Sequence, residues 1–216
     1  MAAPTEAALR LQIVETLQAM AARGLNRGTS GNVSARLGES LLITPTGVAP
    51  EALTAESIVR LDADGAPAPG SLKPSSEWRM HLGILRRRPD CHAVVHCHSR
   101  HATILACAGR PIPAVHYMVA VGGGAGVPLA PYAIFGSAEL ADGVADVLDG
   151  RYAALMANHG QIVVAPSLGR ALVIAEEIEE QAAVYWGTLL IGGPNLLTPA
   201  QMGAVAAQFR GYGQSR

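Results

Sequence analysis

The sequence predicts an α/β protein in which helices cover a mixed sheet, and three observations carry that expectation. Short apolar runs of strand length are interspersed with longer segments of helical period, without the regular strand–helix–strand beat of an all-parallel sheet. Half of the 216 residues are apolar and only 15% are charged, which is enough apolar material for a sizeable core. The length suits one domain and divides awkwardly into two, so residues 1–216 are read as a single unit.

Each element follows from local chemistry. From Glu6 to Arg23, Leu9, Ile13, Leu17 and Met20 recur at helical spacing, and Gly24 is placed to end the helix. Two short strands are expected at Asn32 to Leu37 and Leu41 to Thr44, then a short helix from Leu53 to Ile58 entering a strand near Val59. Residues 62–74, rich in Gly and Pro, read as a surface loop. Pro74, Ser75 and Ser76 start a helix with Glu77 in its first turn, running to about Arg88. His92 to His98 alternates like a strand, and Ser99 opens a helix to Ala108. A helix from Ser137 to Leu148 is closed by Gly150. Strands from Tyr152 to Ala157 and Gln161 to Val164 hinge at Asn158, His159 and Gly160. Long helices follow from about Ser167 to Leu190 and from Pro199 to Arg210.

Charge and cysteine usage exclude several classes. With 16 basic and 17 acidic residues the net charge is -1, and Arg86, Arg87 and Arg88 read as a solvated helix end favoured by the helix dipole. A nucleic-acid surface is not expected. Cys91, Cys97 and Cys107 are odd in number and crowded, unlike a secreted disulfide framework, so free thiols in the cytoplasm are expected. No apolar run approaches the roughly 18 residues that span a bilayer, and the N-terminus lacks the layout of a signal peptide.

The sharpest local signal is His96-Cys97-His98. On a strand, residues two apart share a face, so both imidazoles can reach one ion while Cys97 points the other way. Local spacing supports only this pair. His159, at the break between two apolar strands and followed by a glycine, is a third imidazole. Glu77, opening a helix, is a carboxylate that would complete a four-donor zinc site. Such a nitrogen and oxygen set belongs to catalysis more than to thiolate-rich structural sites. His81 reads as helix packing, His92 as exposed, and His101 and His116 as supporting or structural residues.

Three loops carry anion-binding chemistry: Gly28-Thr29-Ser30-Gly31-Asn32, Thr44-Pro45-Thr46-Gly47, and Ser75-Ser76 at a helix start. Backbone amides, hydroxyls and a helix N-terminus attract phosphate through unpaired donors and a positive dipole end. They point to a small phosphorylated substrate, since neither common nucleotide-binding glycine pattern occurs. Lys73, the one lysine in the chain, lies in the Gly/Pro-rich loop, which disfavours a Schiff-base mechanism.

Taken in order, GTSGNVSAR (28–36), LLITPTG (41–47), KPSSEWRMH (73–81), AVVHCHS (93–99), IPAVHYM (112–118), APYAIFG (130–136) and NHG (158–160) resemble the class II aldolase/adducin family. The resemblance runs from about Leu9 to Tyr212 and is closest to the bacterial fuculose-phosphate-cleaving branch. It implies a mixed, mainly antiparallel sheet and zinc held by Glu77, His96, His98 and His159. It also implies a phosphate site at Thr29, Gly31, Asn32, Thr46, Gly47, Ser75 and Ser76, with Phe135 in the substrate pocket. Tyr117 is implied as a catalytic group lent by a neighbouring subunit of a homotetramer, and Tyr212 as a tail aromatic near the site. The implied reaction is reversible cleavage of a ketose 1-phosphate, such as L-fuculose 1-phosphate, to dihydroxyacetone phosphate and a short aldehyde such as lactaldehyde. The alternatives within the family are a pentulose-phosphate 4-epimerase, a sugar-phosphate dehydratase or decarboxylase, and a non-catalytic adducin-like module. The glycine run 121–126 departs from the family, and reads as bulk removed near the aldehyde pocket.

Overall fold

The computed structural model describes residues 4–209. Helix α1 (Glu6–Ala22) starts at Thr5, whose hydroxyl accepts from the Ala8 amide, and it buries Leu9, Ile13, Leu17 and Met20 as one stripe. Strand β1 (Asn32–Leu37) has the expected bounds, and β2 (Ser40–Ile43) begins and ends one residue earlier than expected. The short helix expected over Leu53 to Ile58 is instead two 3₁₀ turns, Pro50–Ala52 and Ala55–Ser57, ahead of β3 (Val59–Leu61). Leu53 sits between these turns in extended backbone, with Pro50 opening the first and Thr54 and Ser57 boxing the second.

Helix α2 (Trp78–Arg87) precedes β4 (Ala93–Cys97), and α3 (Arg100–Cys107) follows it. A 3₁₀ segment, Tyr117–Gly122, and a two-residue strand, β5 (Leu129–Ala130), are structure that apolar periodicity does not announce. Then come α4 (Ala138–Val147), β6 (Ala153–Met156), β7 (Gly160–Ala165), α5 (Leu168–Leu190) and α6 (Pro199–Phe209). Cys91 and Cys97 are buried free thiols and Cys107 is exposed.

The seven strands form one sheet in the order β3-β2-β1-β4-β7-β6-β5. Every pairing is antiparallel except β5 with β6, which matches the expected mixed, mainly antiparallel sheet. Alternation divides the side chains between two faces. Val33, Ala35, Val95, Cys97 and Val163 pack on one face in a core shared with α1, α3 and α5. Val94, Ile162, Val164, Ala154 and Met156 pack on the other, beneath α2 and α4. The central strands are thus buried on both sides, which fixes their register strongly.

The glycine run does its work in packing. A Cβ on Gly123, at φ +90°, would lie 2.9 Å from Arg151 Cα and Tyr152 N. One on Gly126 would lie 2.7 Å from the Ile112 carbonyl oxygen. Close backbone approach to 151–152 and 112 accounts for both glycines.

Candidate active site

Strand register brings the histidines together. In the β1–β4 ladder Asn32 lies opposite His96, and in the β4–β7 ladder His96 lies opposite Ile162. His96 is the last but one residue of the fully buried β4, and His98, just past Cys97, follows it on the same side while Cys97 faces the α1 and α5 core. The turn between β6 and β7 delivers His159. Asn158 takes a left-handed conformation at φ +55°, unusual for a residue other than glycine, and His159 N donates back to the Met156 carbonyl at 3.1 Å. Gly160 lets this turn press on the end of β4: a Cβ there would lie 2.5 Å from the Cys97 carbonyl oxygen and 3.1 Å from His98 Cδ2.

Glu77 arrives from the fourth side. It occupies the N-cap of α2, one position before the first turn where the sequence places it, and its carboxylate makes no capping hydrogen bond. It turns across the sheet instead. Oε2 lies 3.2 Å from His96 Nε2, and Oε1 lies 3.3 Å from His159 Nε2. The three imidazoles meet edge to face with centroids 4.8 to 5.0 Å apart, and their ligating atoms lie within 4.8 Å of one another.

The protonation states favour a cation. Burial pushes the His96 and His98 imidazoles below their ordinary range and His159 down to about 4, so at neutral pH all three offer lone pairs. His96 Nδ1 lies 2.8 Å from the Gln161 carbonyl, to which it can only donate, and this turns an unprotonated Nε2 towards His98 Nε2 at 3.0 Å. Burial works to raise Glu77, but the facing His96 and His159 and the Asn32 amide outweigh it and hold the carboxyl at about 2. Glu77 Oε1 is buried and makes no hydrogen bond. The unprotonated His96 Nε2, with His98 Nε2 3.0 Å away and a buried carboxylate oxygen without a hydrogen bond beside them, is a donor set that suits a divalent metal ion.

Behind the carboxylate runs a buried polar chain that motif reading missed. Asn32 Nδ2 donates to Glu77 Oε2 at 2.9 Å, and Asn32 Oδ1 lies 2.5 Å from His81 Nε2. His81 Nδ1 in turn lies 2.7 Å from Ser34 Oγ. His81 is therefore not simple helix packing, because both its ring nitrogens are hydrogen bonded. The one available signal was its position four residues after Glu77 on the same helix face.

Glu77, His98 and His159 open on a cavity of about 340 Å³ that is also lined by Thr29, Gly31, Asn32, Thr46, Gly47, Ser75, Ser76 and Phe135. All three loops expected to bind an anion thus converge beside the imidazoles. Asn158, read from the sequence only as part of a hinge, and Tyr132 line it too, and Tyr132 and Phe135 are 65% and 66% exposed. Ser75 is buried, and its hydroxyl accepts from the Glu77 amide. Tyr117 is not brought to this cavity in its own chain; 46% exposed, it lines a separate groove with Arg170 and Phe209. Tyr212 lies outside the described residues. Lys73 and His92 are exposed, as expected. His101 is structural: its amide and ring, with the Ala102 amide, bind the Glu179 carboxylate at the start of α3. His116 accepts from the Met118 amide through Nδ1.

Residues 11–186 match the family model described as the class II aldolase and adducin N-terminal domain. The chain belongs to this family. Among its curated relatives, a 5-methylthioribulose-1-phosphate/5-deoxyribulose-1-phosphate aldolase of Rhodospirillum rubrum is 45% identical over 208 residues, covering 96% of this chain and 94% of the relative. An L-fuculose phosphate aldolase of Escherichia coli is also 45% identical, over 206 residues and 95% of both chains. A solved L-fuculose 1-phosphate aldolase superposes with a TM-score of 0.91 at 36% identity, covering 96% of this chain and 98% of that one. The chain is accordingly an enzyme of the aldehyde-lyase class, within a metal-dependent family, and its structure holds a cluster of three histidines that could bind a metal ion. Among the described residues no helix is long and apolar enough to cross a membrane.

Proposed function

We propose that this aldolase cleaves a ketose 1-phosphate reversibly to dihydroxyacetone phosphate and a short aldehyde, with zinc held by Glu77, His96, His98 and His159. The observation that carries the reading is the Glu77 carboxylate, set against two imidazoles and open to a cavity lined by three anion-binding loops. Three neutral imidazoles and one carboxylate match zinc's preference for nitrogen and oxygen donors. When bound, the ion supplies Lewis-acid stabilisation of negative charge on the ketone oxygens.

The protein's own groups do the remaining work. Amides and hydroxyls around Thr29, Gly31, Asn32, Thr46, Gly47, Ser75 and Ser76 grip the phosphate, which holds the ketone in register and removes part of the entropic barrier. In condensation Glu77 takes a proton from the carbon next to the ketone, and in cleavage it returns it. Tyr117 of a neighbouring subunit donates the proton to the aldehyde oxygen, in a cytoplasmic homotetramer whose sites lie at subunit interfaces. Exposure of Tyr117 in a groove away from its own chain's cavity supports that assignment. Phe135 borders the aldehyde end of the cavity.

The ketose is L-fuculose 1-phosphate, 5-methylthioribulose 1-phosphate or 5-deoxyribulose 1-phosphate, the substrates that relatives' names point to at equal identity. A panel of 1-phosphorylated ketoses with coupled detection of dihydroxyacetone phosphate separates them. Glu77→Gln is expected to keep the fold and lose proton exchange at the ketone carbon. Undiminished exchange removes Glu77 from the base role. A phosphorylated pentulose product without dihydroxyacetone phosphate assigns the site to epimerisation, and full activity without bound metal overturns the mechanism.

A further inference from the structure

The chain Ser34–His81–Asn32–Glu77 has one consistent set of proton positions. Glu77 is ionised and can only accept, so the Asn32 atom 2.9 Å from its Oε2 must be the amide nitrogen. That leaves Asn32 Oδ1 facing His81, where it can only accept, so His81 Nε2 must carry a proton. His81 is fully buried between two neutral partners, the Asn32 amide and the Ser34 hydroxyl, a setting that an uncharged ring satisfies with one donated and one accepted hydrogen bond. Its Nδ1 is therefore an acceptor and takes the hydroxyl proton of Ser34. Every link points the same way: Ser34 Oγ–H to His81 Nδ1, His81 Nε2–H to Asn32 Oδ1, Asn32 Nδ2–H to Glu77 Oε2.

Each member is placed by a different constraint. Asn32 and Ser34 sit two apart on β1 and so share the face that α2 covers. His81 sits one helical turn after Glu77 on α2, which brings its ring over both β1 residues. All four side chains are buried, His81 and Ser34 completely, so these bonds run through low-dielectric surroundings and each polarises the next. Glu77, by contrast, has no capping bond to its own helix, and Oε1 is left without a hydrogen bond. Asn32 is thus the one hydrogen-bond donor to this carboxylate among the described residues.

From this geometry we infer that His81 is a positioning residue: through Asn32 it fixes the Glu77 carboxylate, holding Oε2 and presenting Oε1 to the imidazole cluster. Without the His81 donor the Asn32 amide is free to rotate, and the carboxylate loses the bond that selects one orientation. The inference rests on the aldolase reading for its catalytic consequence and not for its geometry.

The test has two arms. In ¹⁵N-histidine spectra of the wild-type enzyme, His81 is expected as the Nε2–H tautomer with Nδ1 an acceptor, from about pH 6 to 8. An Nδ1–H tautomer or a charged ring in that range overturns the relay, whatever the substrate. In the kinetic arm, His81→Phe is expected to lower kcat by about tenfold or more, with KM for the ketose phosphate within about threefold and metal content at the wild-type level. His81→Gln keeps a donor for Asn32 and is expected to recover most of kcat. Equal damage in both variants, or wild-type kcat in His81→Phe, overturns the positioning role. Should His81→Phe fail to fold, the tautomer spectrum and the Gln variant still decide it. If the wild type turns over no ketose 1-phosphate, the aldolase reading falls while the tautomer measurement stands.

Discussion

Gly160→Ala tests the link between a backbone contact and the imidazole cluster. The added Cβ would meet the Cys97 carbonyl oxygen at 2.5 Å, whereas ordinary contact begins at 3.4 Å, so 3.4 − 2.5 = 0.9 Å must be found by moving one strand or the other. Gly160 has ordinary backbone angles, so the cost is steric and not conformational. The neighbour is backbone, pinned in the β4–β7 ladder, and cannot swing away as a side chain would. Overpacking of this kind costs about 1–3 kcal/mol. For a chain of this size that lowers Tm by roughly 2–12 °C. The same push falls on His98, whose Cδ2 would lie 3.1 Å from the new methyl. A displacement of about 1 Å in a catalytic constellation costs about 100-fold in rate. Zinc affinity is expected to fall by about tenfold, narrowing the gap in stability between loaded and metal-free protein by about 1.4 kcal/mol. Thermal melts with and without zinc, together with a competition titration against a chromophoric chelator, read both quantities. A variant that melts and binds zinc like the wild type refutes the close approach. One that loses stability yet keeps full affinity refutes the coupling of the turn to His98.

Two further expectations concern the same neighbourhood. His81 is held neutral down to about 3 in the fold but takes a proton at its ordinary 6.5 when unfolded, so its contribution is intact above 6.5 and is lost as pH falls towards 3. At pH 5 the loss is about 2 kcal/mol, and urea unfolding of metal-free protein at pH 7 and 5 should show a drop that shrinks by that amount in His81→Phe; an unchanged drop would count against it. Asn158, at φ +55°, should tolerate glycine with Tm nearly unchanged, whereas Asn158→Val should cost about 1–2 kcal/mol and weaken metal binding through His159. A valine variant as stable as the wild type would show that the turn does not depend on this conformation.

Much of the scaffold is legible in local sequence because it follows from side-chain period. The stripe Leu9, Ile13, Leu17, Met20 gives α1, and the alternation about β1 and β4 gives strands whose ends differ from expectation by a residue or so. The short pieces escape such reading. The two 3₁₀ turns over 50–57, the Tyr117–Gly122 segment and the two-residue β5 each span too few residues for a period to emerge. The glycine run shows the same limit: which backbone each glycine must approach is a property of the packed chain.

For the site, local spacing alone determines one thing, that His96 and His98 share a face and Cys97 opposes them, because a strand's side chains alternate whatever it packs against. Joining Glu77 and His159 to that pair required the family's ordered motifs, since 77, 96 and 159 are far apart along the chain. Only the tertiary structure decides how they meet. The β4–β7 register and the left-handed turn at Asn158 swing His159 inward, and Glu77 leaves its own helix end to face two imidazoles. The path Ser34–His81–Asn32 is likewise invisible in sequence, because a hydrogen-bond network is fixed by distances and proton positions between elements, and no local period encodes those.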